Sequence, residues 1–260
     1  MDLDDVLARD HVLDVEQTFD TDELDREVWL PYHLPQWSSS AAAAARYRLR
    51  DGHLELRVDA DQPPWCPEFD GDTRVSSLQT GVFSGPVGSR IGQHRFHPDA
   101  VVREEQPPRR LLTPTFGAVE LRARAEVDAT SMAALWMIGF EDQPDRSAEI
   151  CVCEIFGRNA GPEGARIGMG VHPFGDPTLA DDFAEVSLPI DVTEFHEYAA
   201  VWGPDGVTFH VDGVAVRTVT QAPQYPMQFM LGVYQFGDDP HGRFPKRFVV
   251  DAFRTYRRRD

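Results

Sequence analysis

The sequence predicts an all-β protein, a sandwich or barrel of many short strands. Apolar and polar residues alternate at period two along most of the chain, and Gly, Pro and Asp turn signals punctuate it every ~8–12 residues. The 3.6-residue apolar period of helices is nearly absent.

Taken in order, residues 2–9 are the one stretch near the N-terminus with helical character, and residues 1–15 read as an N-terminal extension. "YRLRDGHLELRVDA" alternates through Tyr47 and Leu49, turns at Asp51-Gly52, and resumes with Leu54, Leu56 and Val58, which is a hairpin signature. The segment "SSSAAAAARY" is ambiguous, its alanines too few to establish a helix. "GAVELRARAEV" (117–127) sets Val119, Leu121, Ala123, Ala125 and Val127 against charged residues, and "AALWMIGF" is a continuous apolar run, as in a strand covered on both faces. Residues 191–195 have some helical character. "HEYAAVWGPDGVTFHVDGVAVRTV" (196–219) gives three strands separated by Pro204-Asp205-Gly206 and Asp212-Gly213. "RFVVDAFRTYRR" closes the pattern with Phe248, Val250, Phe253 and Tyr256. The Pro-rich stretches 62–68, 105–114 and 221–226 read as loops. No repeat, linker or composition break divides residues 1–260, so one domain is expected.

Acidic residues outnumber basic ones 43 to 25, for a formal charge of −18, which argues against nucleic acid and anionic membranes as partners. A neutral or cationic partner, or a solvated surface, fits that balance. No stretch approaches the ~20 apolar residues of a membrane-spanning helix. The first residues lack the basic and apolar regions of a signal peptide, so the protein is expected in the cytoplasm, or secreted with a leader absent from this chain. Cys66, Cys151 and Cys153 are odd in number, and the last two are too close along a strand to bridge without strain. Reduced thiols are expected; a thiol redox or metal protein lacks the resolving partner or further ligands it would need.

The chemistry concentrates in "SAEICVCEIFG" (147–157). In a regular strand Glu154 would point into the core beside Ile150 and Val152, where an unpaired carboxylate costs several kcal/mol. A one-residue bulge at Cys153 removes the conflict. It places Glu149, Cys151, Glu154 and Phe156 on one face and leaves Ile150, Val152 and Ile155 as an apolar core face. Two carboxyls on one open face suit a retaining glycosidase, which holds them ~5–5.5 Å apart, better than an inverting one at ~6.5–9.5 Å. A pair of solvated strand carboxylates is the other reading the pattern leaves open.

"EICVCE" resembles the E-[IL]-D-x-x-E signature of family 16 glycoside hydrolases in its bulged, laminarinase-like form. The surroundings are similar as well: "TFDTDELDREVW", "FGAVELRARAEV" followed by "AALWMIGF", "FHEYAAVWGPDGVTFHVDGVAVRTV" and "PMQFMLGVY" occur in the family's order. The resemblance implies a concanavalin A-like β-jelly roll of two antiparallel sheets with a sugar cleft on one of them. It implies endo-type, retaining cleavage of a β-glucan or galactan, with Glu149 as nucleophile and Glu154 as general acid/base. His172 falls where the family has a histidine beside the acid/base, and Trp136 where a tryptophan lines the cleft. Trp37, Trp65, Tyr234 and Tyr32 are further candidates to line subsites, and Trp202 is expected in the core.

Cys151 is the departure, standing where the family has an aspartate. Between two carboxyls a thiol is expected to stay neutral and act as a weak donor. Losing that negative charge should lower the acid/base pKa, which weakens an acid near neutrality. A non-catalytic or weakly active carbohydrate-binding protein on the same fold is therefore the alternative to a glycosidase. No cofactor is required; a structural calcium at Asp251 is compatible with the family pattern, although Thr18 stands where an acid is common. The expected partner is a carbohydrate, with no nucleic acid or membrane, and the expected state is a monomer.

Overall fold

The structure, a computed structural model, describes residues 2–259. Helix α1 (Leu3–Asp10) leads into strands β1 (His11–Gln17), β2 (Tyr47–Arg50) and β3 (His53–Val58). After the short α2 (Pro67–Asp70) come β4 (Arg74–Gln79), β5 (Gly81–Val82), β6 (Arg109–Arg110), β7 (Gly117–Glu126) and β8 (Ser131–Gly139). The middle of the chain supplies β9 (Glu149–Phe156), β10 (Ala160–Gly161), β11 (Gly164–His172) and β12 (Asp182–Leu188). The strands β13 (His196–Gly203), β14 (Gly206–Val211), β15 (Val214–Val219), β16 (Met227–Gln235) and β17 (Lys246–Arg258) follow.

The strands build the expected jelly-roll sandwich. An eight-stranded sheet runs β15-β14-β13-β7-β17-β3-β2, with β1 also on β17; a seven-stranded sheet runs β10-β11-β9-β8-β16-β4, with β12 on β11. Period-two alternation explains how the two meet. From β7, Leu121, Ala123 and Ala125 face inward, and from β17 Phe248, Val250 and Phe253 join them. Across the core lie Ala133, Leu135 and Met137 of β8 with Phe229, Leu231 and Val233 of β16. The apolar run of β8 is covered on its other face too. Ala134, Trp136 and Ile138 pack in a second cluster with Leu34, Trp37, Trp65 and Ala100 from loops laid over the seven-stranded sheet. The Asp51-Gly52 turn holds both residues at positive φ, 55° and 73°, as a tight two-residue hairpin demands.

One expectation is corrected, at 191–195, and two other segments gain definition. In the N-terminal extension, Leu3 and Leu7 of α1 pack on Ala118 and Ala199, and β1 pairs with β17. Residues 191–195 form a turn because the Asp191 carboxylate takes the Thr193 N–H and hydroxyl at 3.0 and 2.7 Å, competing with a helical path. "SSSAAAAARY" resolves into turns and a bridge between Tyr32 and Ala44.

Candidate active site

The bulge forms in β9. Trp136 pairs with Cys151 and Leu135 with Cys153, so the ladder to β8 skips Val152, one residue before the expected position. Val152 and Cys153 both enter the core with Ile150 and Ile155. Glu149 and Glu154 consequently line one groove on the outer face of the seven-stranded sheet. One oxygen from each carboxyl and the Cys151 sulfur lie within 4.8 Å of one another. The neighbouring β11 leaves room for them. Gly168 is paired with Glu154, and a Cβ on it would sit 2.5 Å from the Phe183 ring and 3.1 Å from the Glu154 Cβ.

Burial sets the electrostatics. It pushes the Glu149 carboxyl up to about 8, opposed by the Cys151 thiol, which donates to Glu149 Oε1 at 3.0 Å. Burial also raises Glu154, against the pull of a facing His172. Burial, with Glu149 and Glu154 beside it, lifts Cys151 well above the ordinary thiol range, so it is the neutral donor the sequence suggested. Relief of charge repulsion by the thiol is thus outweighed by desolvation, and the carboxyl pair retains a proton at neutral pH.

His172 is paired with Glu149 across the β9–β11 ladder, and its Nδ1 lies 2.5 Å from Asp181. Trp136, Trp65 and Tyr234 line the groove as its floor: Trp136 Nε1 donates to the Tyr234 hydroxyl at 2.9 Å and Trp65 Nε1 to Asp70 at 2.6 Å. Trp37 does not line it. Its ring is fully buried and Nε1 donates to the Gln93 carbonyl at 2.9 Å, because the loop layer needs an apolar centre of its own. Tyr32 is half-buried outside the groove, and Trp202 packs in the core. The exposed aromatic surface at the groove comes instead from Phe174 and Phe236, which are 55% and 38% exposed.

Two groove histidines carried no signal in the sequence. His33 stands edge-on to Trp65 and Tyr234, with centroids 4.7 and 5.5 Å away, and burial lowers it to about 3. His94 lies edge-on to Trp136 with Nδ1 3.9 Å from Glu149 Oε2, and burial lowers it to about 4. Both sit in irregular loops far along the chain from β9, where no periodicity singles out a side chain. At Asp251, where the sequence suggested calcium, the carboxylate accepts from Arg122 at 2.6 Å and lies 3.4 Å from the His53 ring, so a guanidinium of the chain already pairs with it.

The family model for glycosyl hydrolases family 16 matches residues 113–245, and the chain belongs to that family. A Crh-like protein of Arthroderma benhamiae is 33% identical over 94 residues, 34% of this chain and 20% of the relative. Congo red hypersensitive protein 1 of Saccharomyces cerevisiae is 37% identical over 71 residues, 25% of this chain and 14% of the relative. The matches thus span a fifth or less of these two relatives. Among solved structures, the GlcNAcα1-4Gal releasing endo-β-galactosidase of Clostridium perfringens superposes with a TM-score of 0.82 at 26% identity, over 95% of this chain and 62% of the other. The catalytic domain of an endo-1,3-β-glucanase from Thermotoga petrophila shares the fold, with a TM-score of 0.67 at 17% identity over 96% and 99% of the two chains. No helix among the described residues is long and apolar enough to cross a membrane.

Proposed function

We propose that this chain cleaves internal bonds of a β-linked galactan or glucan with retention of anomeric configuration. One observation carries the reading: the bulge in β9 brings Glu149 and Glu154 into one groove with oxygens within 4.8 Å, closer than the ~6.5–9.5 Å that an inverting enzyme needs for its water. Likeness to an endo-β-galactosidase at 26% identity supports the galactan side, and likeness to an endo-1,3-β-glucanase fold keeps glucans in the test.

The steps follow from the pair. In the productive form the retained proton sits on Glu154 and the charge on Glu149. An oxygen of Glu149 attacks the anomeric carbon, the bond from that carbon to the bridging oxygen breaks, and Glu154 gives its proton to the departing oxygen. Glu154, now a carboxylate, takes a proton from water, whose oxygen attacks the same carbon and frees Glu149. The Cys151 S–H stabilises charge on Glu149, in place of an ionisable neighbour that would repel it. The aromatic floor offers apolar faces to sugar C–H groups, and neutral His33 and His94 can bond hydroxyls without competing as cations.

The test is a hydrolysis screen over β-galactans, laminarin and mixed-linkage glucan, with the first-formed anomer followed by proton NMR. Mid-chain cleavage with the β-anomer appearing first is expected. An α-anomer appearing first, or no turnover on any β-linked chain, would overturn the reading; binding without turnover would instead favour a carbohydrate-binding protein.

A further inference from the structure

Beside the groove lies a second cavity of about 400 Å³, lined by Arg90, Arg95, His94, Glu141, Ser147 and Phe174. His94 and Phe174 line both cavities, so this space continues the groove past Glu149. We propose that it is a subsite for an anionic substituent, a sulfate ester or a uronate carboxylate, on the sugar chain held in the groove. The inference rests on the groove being a sugar site and adds the class of sugar that it takes.

Charge is the first argument. In a chain of net charge −18, most guanidiniums on the sheets are neutralised by carboxylates. Arg90 is exposed and has no hydrogen-bond or ion-pair partner among the described residues. Arg95 donates only to the backbone carbonyls of His97 and Pro98, at 3.4 and 3.0 Å, which leaves its charge uncancelled. The one carboxyl on the wall is Glu141, which accepts the His94 N–H at 2.5 Å. Burial pushes it up to about 8, so at neutral pH it offers an O–H rather than a repelling charge. Beyond ~8 Å the acidic surface is largely screened at physiological salt, and the pocket's own sign decides.

Construction is the second argument. His94, Glu141 and Phe174 all hold positive φ, 48°, 57° and 44°, a conformation that costs a non-glycine residue energy and tends to collect at binding sites. The arginine-bearing segment is clamped from below. The buried Gln93 takes the Gln36 amide and the Trp37 indole N–H on its carbonyl at 3.0 and 2.9 Å, and its side chain bonds Phe83 N and Gln228 at 2.8 and 2.6 Å. Trp37, excluded from the groove, thereby fixes the segment that carries both guanidiniums. A planar guanidinium matches the paired oxygens of a sulfate or carboxylate.

The experiment is calorimetric titration of the full chain carrying Glu149→Gln, which leaves the probes uncut. Three oligosaccharides of equal length are compared, on whichever backbone the hydrolysis screen selects: neutral, sulfated and uronate-bearing. One charged probe is expected to bind at least about tenfold tighter than the neutral one, with an advantage that shrinks as salt rises; which one does so identifies the anion. Adding Arg90→Gln and Arg95→Gln should bring the charged-to-neutral affinity ratio toward one, and retained Tm shows that the variants fold. Equal affinity for all three probes, or an advantage that survives both substitutions, overturns the subsite while leaving the groove. Failure of every probe to bind overturns the groove reading and the subsite with it.

Discussion

The outer faces of the two sheets carry carboxylates in opposite states. On the eight-stranded sheet, Glu126 lies between Arg124 and Arg247 at 2.5 Å from each. Burial alone would raise it, but the two guanidiniums hold it below the ordinary range. Asp59, between Arg57 and Arg46, behaves the same way. Over the seven-stranded sheet, Glu141, Glu149 and Glu154 have no guanidinium ion-pair partner among the described residues and are raised by burial, and the first two sit against His94, which burial keeps neutral. Glu197 is the exception on the first face, pushed to about 7 by burial beside Glu120 and Asp4. The contrast separates charge arranged for solvation from charge held uncomfortably for chemistry, since unpaired buried carboxyls cost stability and persist where their protons are used.

The largest expected effect concerns the groove pair. Glu149→Gln should reduce kcat on the best polysaccharide by more than about a thousandfold. Glu154→Gln should do nearly the same, yet spare the first step on an aryl glycoside whose leaving group needs no proton. Burst kinetics on such a glycoside separate the two, and equal losses for both variants would reject the assigned roles. In the parent, the acid limb of kcat/KM should lie well above pH 4.5, because burial lifts the pair and the limb reports the pair as a unit.

Next comes stability. Glu141 binds its proton more tightly folded than unfolded, with its pKa raised from 4.5 to about 8. The native state therefore holds more protons across that window, and stability falls as pH climbs from about 4.5 to about 8. Glu141→Gln, which keeps an acceptor for the His94 N–H, should flatten this part of the curve and gain a few kcal/mol near pH 8 relative to the parent. Urea unfolding at several pH values measures it. A parent curve that rises across the window would show that Glu141 ionises freely.

Much of this architecture was legible in the sequence, and the reason lies in period two. Each strand with one wet face declares itself, so β7, the β2–β3 hairpin and the β13–β15 meander emerge from alternation and Asp-Gly turns alone. The β9 bulge was legible because Ile150, Val152 and Ile155 cannot share a regular strand face with one another and exclude Glu154. Loop residues had no such constraint. His33, His94 and Phe174 reach the groove, and Glu141 the cavity beside it, through chain paths whose local residues carry no period, and Trp37 looked like any loop tryptophan. Only the three-dimensional layering distinguishes its support of the loops from the exposed platforms of Phe174 and Phe236.

A smaller effect is expected from Cys151→Asp. A third carboxyl beside Glu149 and Glu154 would repel both, raising the pair's apparent pKa values and carrying the alkaline limb of kcat/KM to higher pH. The Cys151 thiol donates to Glu149 at 3.0 Å, so the substituted group would stand within the same electrostatic circle. An unchanged alkaline limb in an active variant would show that position 151 does not tune the pair.

The smallest effect belongs to the paired face. Glu126→Gln removes one carboxylate from between Arg124 and Arg247, where about a third of its side chain meets solvent. Its folded pKa is depressed, so whatever it contributes is present above the unfolded value of 4.5 and is lost as pH falls through the lower folded one. Solvent screening limits the pair to roughly 1 kcal/mol at neutral pH, less in high salt, and nothing in acid. The two sheet faces share a core, however, so indifference of the groove is a real expectation and not a matter of distance. Denaturant midpoints at pH 3 and 7, with kcat/KM alongside, measure both quantities. A tenfold loss of kcat/KM from Glu126→Gln would mean that strain passes through the core from β7 to β8 and β9, and that the solvated face helps to hold the groove in register.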